Sequence, residues 1–131
     1  MATQYKIRRK TAEETISLLS SVKVTLRSGR PRKRPNLGRP LAVNAYGKPV
    51  KPTSDEAVKR SLVGALKADA KLHGFSPTIE KVAAEYFLKA FGFPYWHKGD
   101  ISIIDQEYWD TREFQRTCDR AIKLIAAEAG L

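Results

Sequence analysis

Ser76-Pro77-Thr78-Ile79-Glu80-Lys81-Val82-Ala83-Ala84-Glu85-Tyr86-Phe87-Leu88-Lys89-Ala90-Phe91-Gly92 carries start, stripe and stop signals for one helix. Ser76 stands at the N-cap, and Pro77 takes the first helical position, where its missing N–H costs nothing and its fixed φ suits the helix. Ile79, Val82, Ala83, Tyr86, Phe87 and Ala90 return at helical spacing and line one face. Gly92 supplies the stop. A stripe this broad predicts a core helix, and a core helix predicts partners of the same kind.

Those partners are found on both sides. Upstream, Thr53 and Glu56 have capping-box spacing, Asp55 and Glu56 favour a helix N-terminus, and Val58, Leu62, Ala65, Leu66 and Leu72 form a stripe ending at Gly74. Gly64 interrupts that stripe at a cost of about 1 kcal/mol relative to alanine, which predicts close packing against another backbone. Further upstream, Thr11 and Glu14 form a second capping box before Ile16, Leu19, Val22 and Leu26. That helix ends either near Leu26 or near Ser21, because β-branched Val22, Val24 and Thr25 lower helix propensity. Downstream, Asp110 caps a last helix with Phe114, Cys118, Ala121, Ile122 and Ile125 on one side and an end near Gly130. Phe93 to Trp109 reads as a packed loop or, through Ile101, Ile103 and Ile104, as a short strand. The fold class expected is mainly α, a compact bundle of about four helices with a basic Pro/Arg-rich arm and room for one small β-hairpin.

The arm is the other decisive feature. Residues 1–52 hold 13 lysines and arginines against two acids, whereas residues 53–131 hold 11 against 12. The whole excess of the +10 net charge therefore lies at one end. Five of seven prolines fall between Arg27 and Pro52, so this stretch is not a continuous helix and is expected to be irregular, with its cations held outward. Leu41 to Val50, around Tyr46-Gly47-Lys48, is the candidate hairpin. The division expected is an N-terminal helix and basic arm over 1–52 and a helical domain over 53–131.

Several classes are disfavoured on composition. Cys118 is the only cysteine, which fits a reducing compartment and a cytoplasmic protein. Met1 to Lys10 has no apolar stretch behind its basic residues, no window nears the roughly 18 consecutive apolar residues of a membrane span, and Glu13 and Glu14 interrupt a presequence-like reading. His73 and His97 lack the spacing of a zinc site, and Cys118 reads as a small buried hydrophobe. Asp100, Asp105, Glu107 and Asp110 do not match a calcium loop; Asp110 serves as a helix cap, and the cluster offers an acidic patch that docks the arm. Tyr95, Trp96, Tyr108 and Trp109 bracket that patch, as core aromatics or as stacking partners for bases or arginines. No nucleophile, base and orienting group stand at usable spacing, so no enzyme, metal or cofactor is expected.

Between Arg27 and Arg39 stand six cations and no acid. Such a run neutralises phosphates and releases condensed counterions. Gly29-Arg30-Pro31, with Arg32, Lys33 and Arg34 after it, resembles an AT-hook, the minor-groove motif centred on Arg-Gly-Arg-Pro, although Ser28 replaces its first arginine and Leu37 does so before Gly38-Arg39-Pro40. The resemblance implies that Gly29, Arg30 and Pro31 sit in the groove. Arg32-Lys33-Arg34-Pro35 also resembles a nuclear localisation signal. Farther along, Ser61-Leu62-Val63-Gly64-Ala65-Leu66, Thr111-Arg112-Glu113-Phe114 and Asp119-Arg120-Ala121-Ile122 look like a small bacterial and phage family of uncharacterised function, although the Trp-Asn-Asp such proteins tend to carry before the last helix is absent and Asp105 is its one remnant. That resemblance implies a compact helical domain in a phage or mobile-element setting. The function expected is non-enzymatic binding of DNA or RNA through Arg27, Gly29, Arg30, Pro31, Arg32, Lys33, Arg34 and Arg39, without a membrane. The alternative is a protein-interaction module that meets an acidic protein partner, such as a phage-encoded inhibitor of a host protein.

Overall fold

The computed structural model describes residues 6–34, 37–92, 101–107 and 110–131. Five helices are present among them: α1 (Arg9–Thr25), α2 (Leu62–Leu72), α3 (Pro77–Phe91), α4 (Ile101–Glu107) and α5 (Thr111–Ala129). Two short strands, β1 (Ala42–Val43) and β2 (Lys59–Arg60), pair antiparallel with Ala42 opposite Arg60 and Val43 opposite Lys59. The chain is thus a helical bundle with a small sheet.

α3 follows its sequence signals: Ser76 Oγ accepts from the Ile79 N–H, and Gly92 closes the helix at φ 102°. α5 does likewise, with Asp110 Oδ1 accepting from the Glu113 N–H at 3.2 Å and Gly130 at φ 71°. Two helix starts differ from expectation, and the end of α1 takes the longer of the two readings. α1 starts at Arg9 rather than Thr11, because Ile7 packs into the core and draws the preceding turn with it; Thr11 instead accepts from Thr15 Oγ1 through its carbonyl. The same helix runs through the β-branched cluster to Thr25, since Val22 is fully buried and the Thr25 hydroxyl donates to Asp69 Oδ2 at 2.8 Å. Packing overrides the weak propensity there.

α2 is shorter than its stripe, starting at Leu62 rather than after Thr53. Residues 59 and 60 are drawn into the strand pair with β1, and Arg60 Nε donates to the Pro52 carbonyl at 2.7 Å. Residues 101–107 form a helix rather than a strand or loop, for Ile101, Ile104 and Asp105 are the buried positions and their i, i+3, i+4 spacing is helical. The hairpin reading holds in reduced form: Asn44 N–H donates to the Lys48 carbonyl at 2.9 Å, Val50 N–H to the Ala42 carbonyl at 3.1 Å, and Val43 bridges Pro49.

The core gathers Leu18, Leu19 and Val22 of α1, Leu66 of α2, Phe87 of α3 and Phe114 and Ile125 of α5 in one cluster. A boundary at residue 52 therefore does not separate two packing units. Each fully buried apolar side chain contributes about 1.5–3 kcal/mol. Phe87 meets Phe114 edge-on, with centroids 5.6 Å apart at 89°, an arrangement that adds about 0.5–1.5 kcal/mol. Lys23 of α1 grips both carboxylate oxygens of Asp119 on α5 at 2.9 Å.

Cys118 is fully buried on the inner face of α5, and burial pushes its thiol up to about 12. Only the thiolate attacks an electrophile. At pH 8 the folded protein is therefore expected to leave a thiol-reactive dye uncleaved on the timescale of minutes and to react at once in guanidinium. Rapid labelling of the native protein would contradict this burial.

Candidate functional site

The arm leaves α1 through a single 3-10 turn, Leu26–Ser28, and reverses at Gly29, whose φ of 89° favours glycine. From there the chain does not project into solvent. Arg30 turns inward, its side chain 1% exposed, and its guanidinium carbon lies 4.2 Å from the centroid of the Phe114 ring. Its Nη2 donates to the Asp105 carbonyl at 2.8 Å and stands 3.8 Å from Asp105 Oδ1. Arg39 enters from the other side, donating through Nε to the same carbonyl at 2.9 Å and through Nη1 to the Pro31 carbonyl.

Gln106 completes the clamp. Its amide oxygen accepts from the Arg39 N–H at 2.6 Å and its amide nitrogen donates to the Arg39 carbonyl at 2.9 Å, so one side chain serves as a strand partner. Gly38, at φ 73°, makes this approach possible, since a Cβ there would lie 2.7 Å from Gln106 Oε1. Asp105 is itself committed elsewhere: its carboxylate accepts from the Leu62 N–H at 2.8 Å and the Val63 N–H at 3.0 Å, capping α2 across 43 residues of sequence. Ser61 Oγ takes the Gly64 N–H at 3.1 Å, so three of the free donors at that helix end are satisfied.

Two buried guanidiniums beside one carboxylate alter both cations. Burial, then the neighbouring Arg39, pulls Arg30 down to about 10, while Asp105 and Asp110 oppose the shift. Arg39 is also lowered, first by burial, with Asp105 opposing. A charged arginine is retained in such a place because π-face, carbonyl and carboxylate together replace its water.

The consequence for the expected binding residues is direct. Arg30, Pro31 and Arg39 are buried, Gly29 and Arg34 are partly covered, and Arg27, Arg32 and Lys33 are exposed. The expectation that the cations face outward together is corrected at Arg30 and Arg39, and with it the AT-hook reading. An arginine stacked on Phe114 inside the fold is not available to a minor groove, and both Gly-Arg-Pro repeats use theirs as internal anchors. The acidic patch docks the arm, as one sequence reading had it: Asp105 meets Arg30, and Glu107 lies 3.5 Å from Lys33. The Lys33 pair is exposed on both sides and is worth about 0–1 kcal/mol. Among the described residues the ring under Arg30 is that of Phe114; Tyr95, Trp96, Tyr108 and Trp109 lie outside the described residues, as do Asp100 and His97. His73 is exposed with Nε2 3.2 Å from Ser21 Oγ. Among the described residues no group of three or more His, Cys, Asp or Glu is placed to hold a metal ion.

Anchoring leaves a cationic groove of about 340 Å³ on the arm's outer side. Pro31, Pro40 and Val43 give it apolar lining, and Arg32, Arg34 and Lys59 give it charge, with no carboxylate among the described lining residues. Arg34 is held by Nη2 donating to the Gly47 carbonyl at 3.2 Å. Lys59 was not visible in the charge run, being 25 positions beyond Arg34; the β1–β2 pairing brings it there. A second cleft of about 560 Å³ involves Arg30, Arg39, Gln106 and Glu107, and so contains an acid.

Among the described residues no helix is long and apolar enough to cross a membrane. Comparison of the chain with protein-family models, with curated proteins and with solved structures finds no match.

Proposed function

We propose that this protein binds nucleic acid without catalysis, through phosphate contacts made by the exposed face of the folded arm. The observation that carries the reading is the groove in which Arg32, Arg34 and Lys59 converge from two separate stretches of sequence, with no acid among its described lining residues. Guanidinium and ammonium groups set along a concave path suit a run of phosphates, and the inward arginines hold that path in shape, so less ordering entropy is lost on binding. Arg27 and Lys48, both exposed, extend the same charge beyond the groove.

Phosphate neutralisation sets a quantitative expectation. Three groove cations predict that log K for duplex DNA falls with log salt at a slope of roughly −3. The double substitution R32A/K59A removes two of them and should weaken binding at least tenfold at about 50 mM salt, while flattening the slope by roughly 2. Anisotropy titrations of a labelled duplex at several salt concentrations read both numbers. An affinity indifferent to salt, or unaltered by R32A/K59A, would overturn the proposal. A pull-down repeated after nuclease treatment separates it from recruitment by an acidic protein, because a partner held directly survives the nuclease.

A further inference from the structure

We infer that the nucleic acid taken by this groove is single-stranded, with Tyr46 as a stacking platform for an unpaired base; the inference rests on the phosphate-binding reading above. Tyr46 is 88% exposed, the most exposed of the large apolar and aromatic side chains described, and it is adjacent to Gly47, which helps line the groove. Exposure alone is common for a surface tyrosine. Here the backbone beneath it is also held by a set of local hydrogen bonds.

Asn44 organises the turn. Its Oδ1 accepts from the Tyr46 N–H at 2.9 Å and from the Lys48 N–H at 3.0 Å. The Asn44 carbonyl takes the Gly47 N–H at 3.0 Å, and the Asn44 N–H donates to the Lys48 carbonyl at 2.9 Å. Arg34 then ties the Gly47 carbonyl to the arm. An aromatic ring is thus presented to solvent on a turn closed by four local hydrogen bonds and pinned to the cationic groove by a fifth. Lys48 follows it and is exposed.

The combination selects among nucleic acids. Every base has a π-face, but a duplex buries those faces in its own stack, so an outward ring gains only from an unpaired base. The partly exposed Pro40 in the groove lining likewise suits the sugar and base surfaces of a splayed strand, which the phosphate-walled exterior of a duplex does not offer. Cations hold the backbone while the ring holds a base, without a requirement for sequence.

The test compares a labelled oligothymidylate with a duplex of equal length by anisotropy, using the full chain. Wild type should prefer the single strand. Y46A should lose about tenfold in single-strand affinity, and Y46F should retain it, since stacking needs the ring and not the hydroxyl. Equal affinity of wild type for the two probes, or Y46A binding the single strand as wild type does, overturns the inference while leaving phosphate binding standing if R32A/K59A still weakens both. Absence of binding to either probe at low salt overturns both readings. Tyr46 is exposed, so thermal unfolding followed by circular dichroism should be unchanged in Y46A.

Discussion

Replacing Asp105 with alanine is expected to destabilise the protein by about 3–5 kcal/mol, the range found when one member of a buried ion pair is removed and the other stays buried. Two losses coincide at this side chain. The Leu62 and Val63 N–H groups lose their acceptor at the start of α2, and Arg30, 1% exposed and 3.8 Å away, keeps its charge with less to balance it. The bonds that Arg30 and Arg39 make to the Asp105 carbonyl belong to the backbone and survive the substitution. Asp105→Asn keeps an oxygen for one N–H and removes the charge, so a smaller loss of about 1–3 kcal/mol is expected. Urea unfolding followed by far-ultraviolet circular dichroism reads the midpoint for all three proteins. An alanine variant with the wild-type midpoint would show that this carboxylate neither caps α2 nor balances the arm.

Gly64→Ala reverses the usual sign of its substitution. At an ordinary position inside a helix the change stabilises by about 1 kcal/mol. At Gly64 a Cβ would stand 2.0 Å from the Leu41 carbonyl oxygen and 2.9 Å from its carbon, and neither is the movable end of a side chain. That carbonyl also accepts from the Ser61 N–H at 2.9 Å, so displacing it disturbs the join between the arm and the cap of α2. Overpacking commonly costs about 1–3 kcal/mol, and a clash with fixed backbone belongs at or beyond the upper end. The expected outcome is a net loss of about 3 kcal/mol, measured by the same urea titration. A Gly64→Ala protein as stable as wild type would mean that α2 and the Leu41 backbone are not in close contact.

These two sites explain what was legible in the sequence. The glycine signal was correct: a residue unfavourable by propensity inside an apolar stripe marked a backbone approach, though the approaching segment was unnamed. Asp105 was harder. It stood among four acids read as a metal site or a docking patch, with the cap assigned to Asp110, and only the position of Leu62 and Val63, 43 and 42 residues away, shows that Asp105 caps a helix as well. The capping boxes at Thr11 and Thr53 had the right letters in places where tertiary contacts moved the helix ends, one by the burial of Ile7 and the other by the pairing of Lys59 and Arg60 with β1.

The amino-acid order by itself determined the helical class, α3 and α5 with their caps and stops, the proline-broken arm and the gathering of positive charge at one end. Each is settled within about one or two helical turns of chain, where propensity, capping and periodicity act. Tertiary structure alone decided which cations face water. Arg30 and Arg39 look like Arg32 and Arg34 in sequence, but a guanidinium leaves water only where an aromatic face, carbonyl oxygens and a carboxylate stand ready together, and Phe114, Asp105 and Pro31 meet only once the bundle has closed.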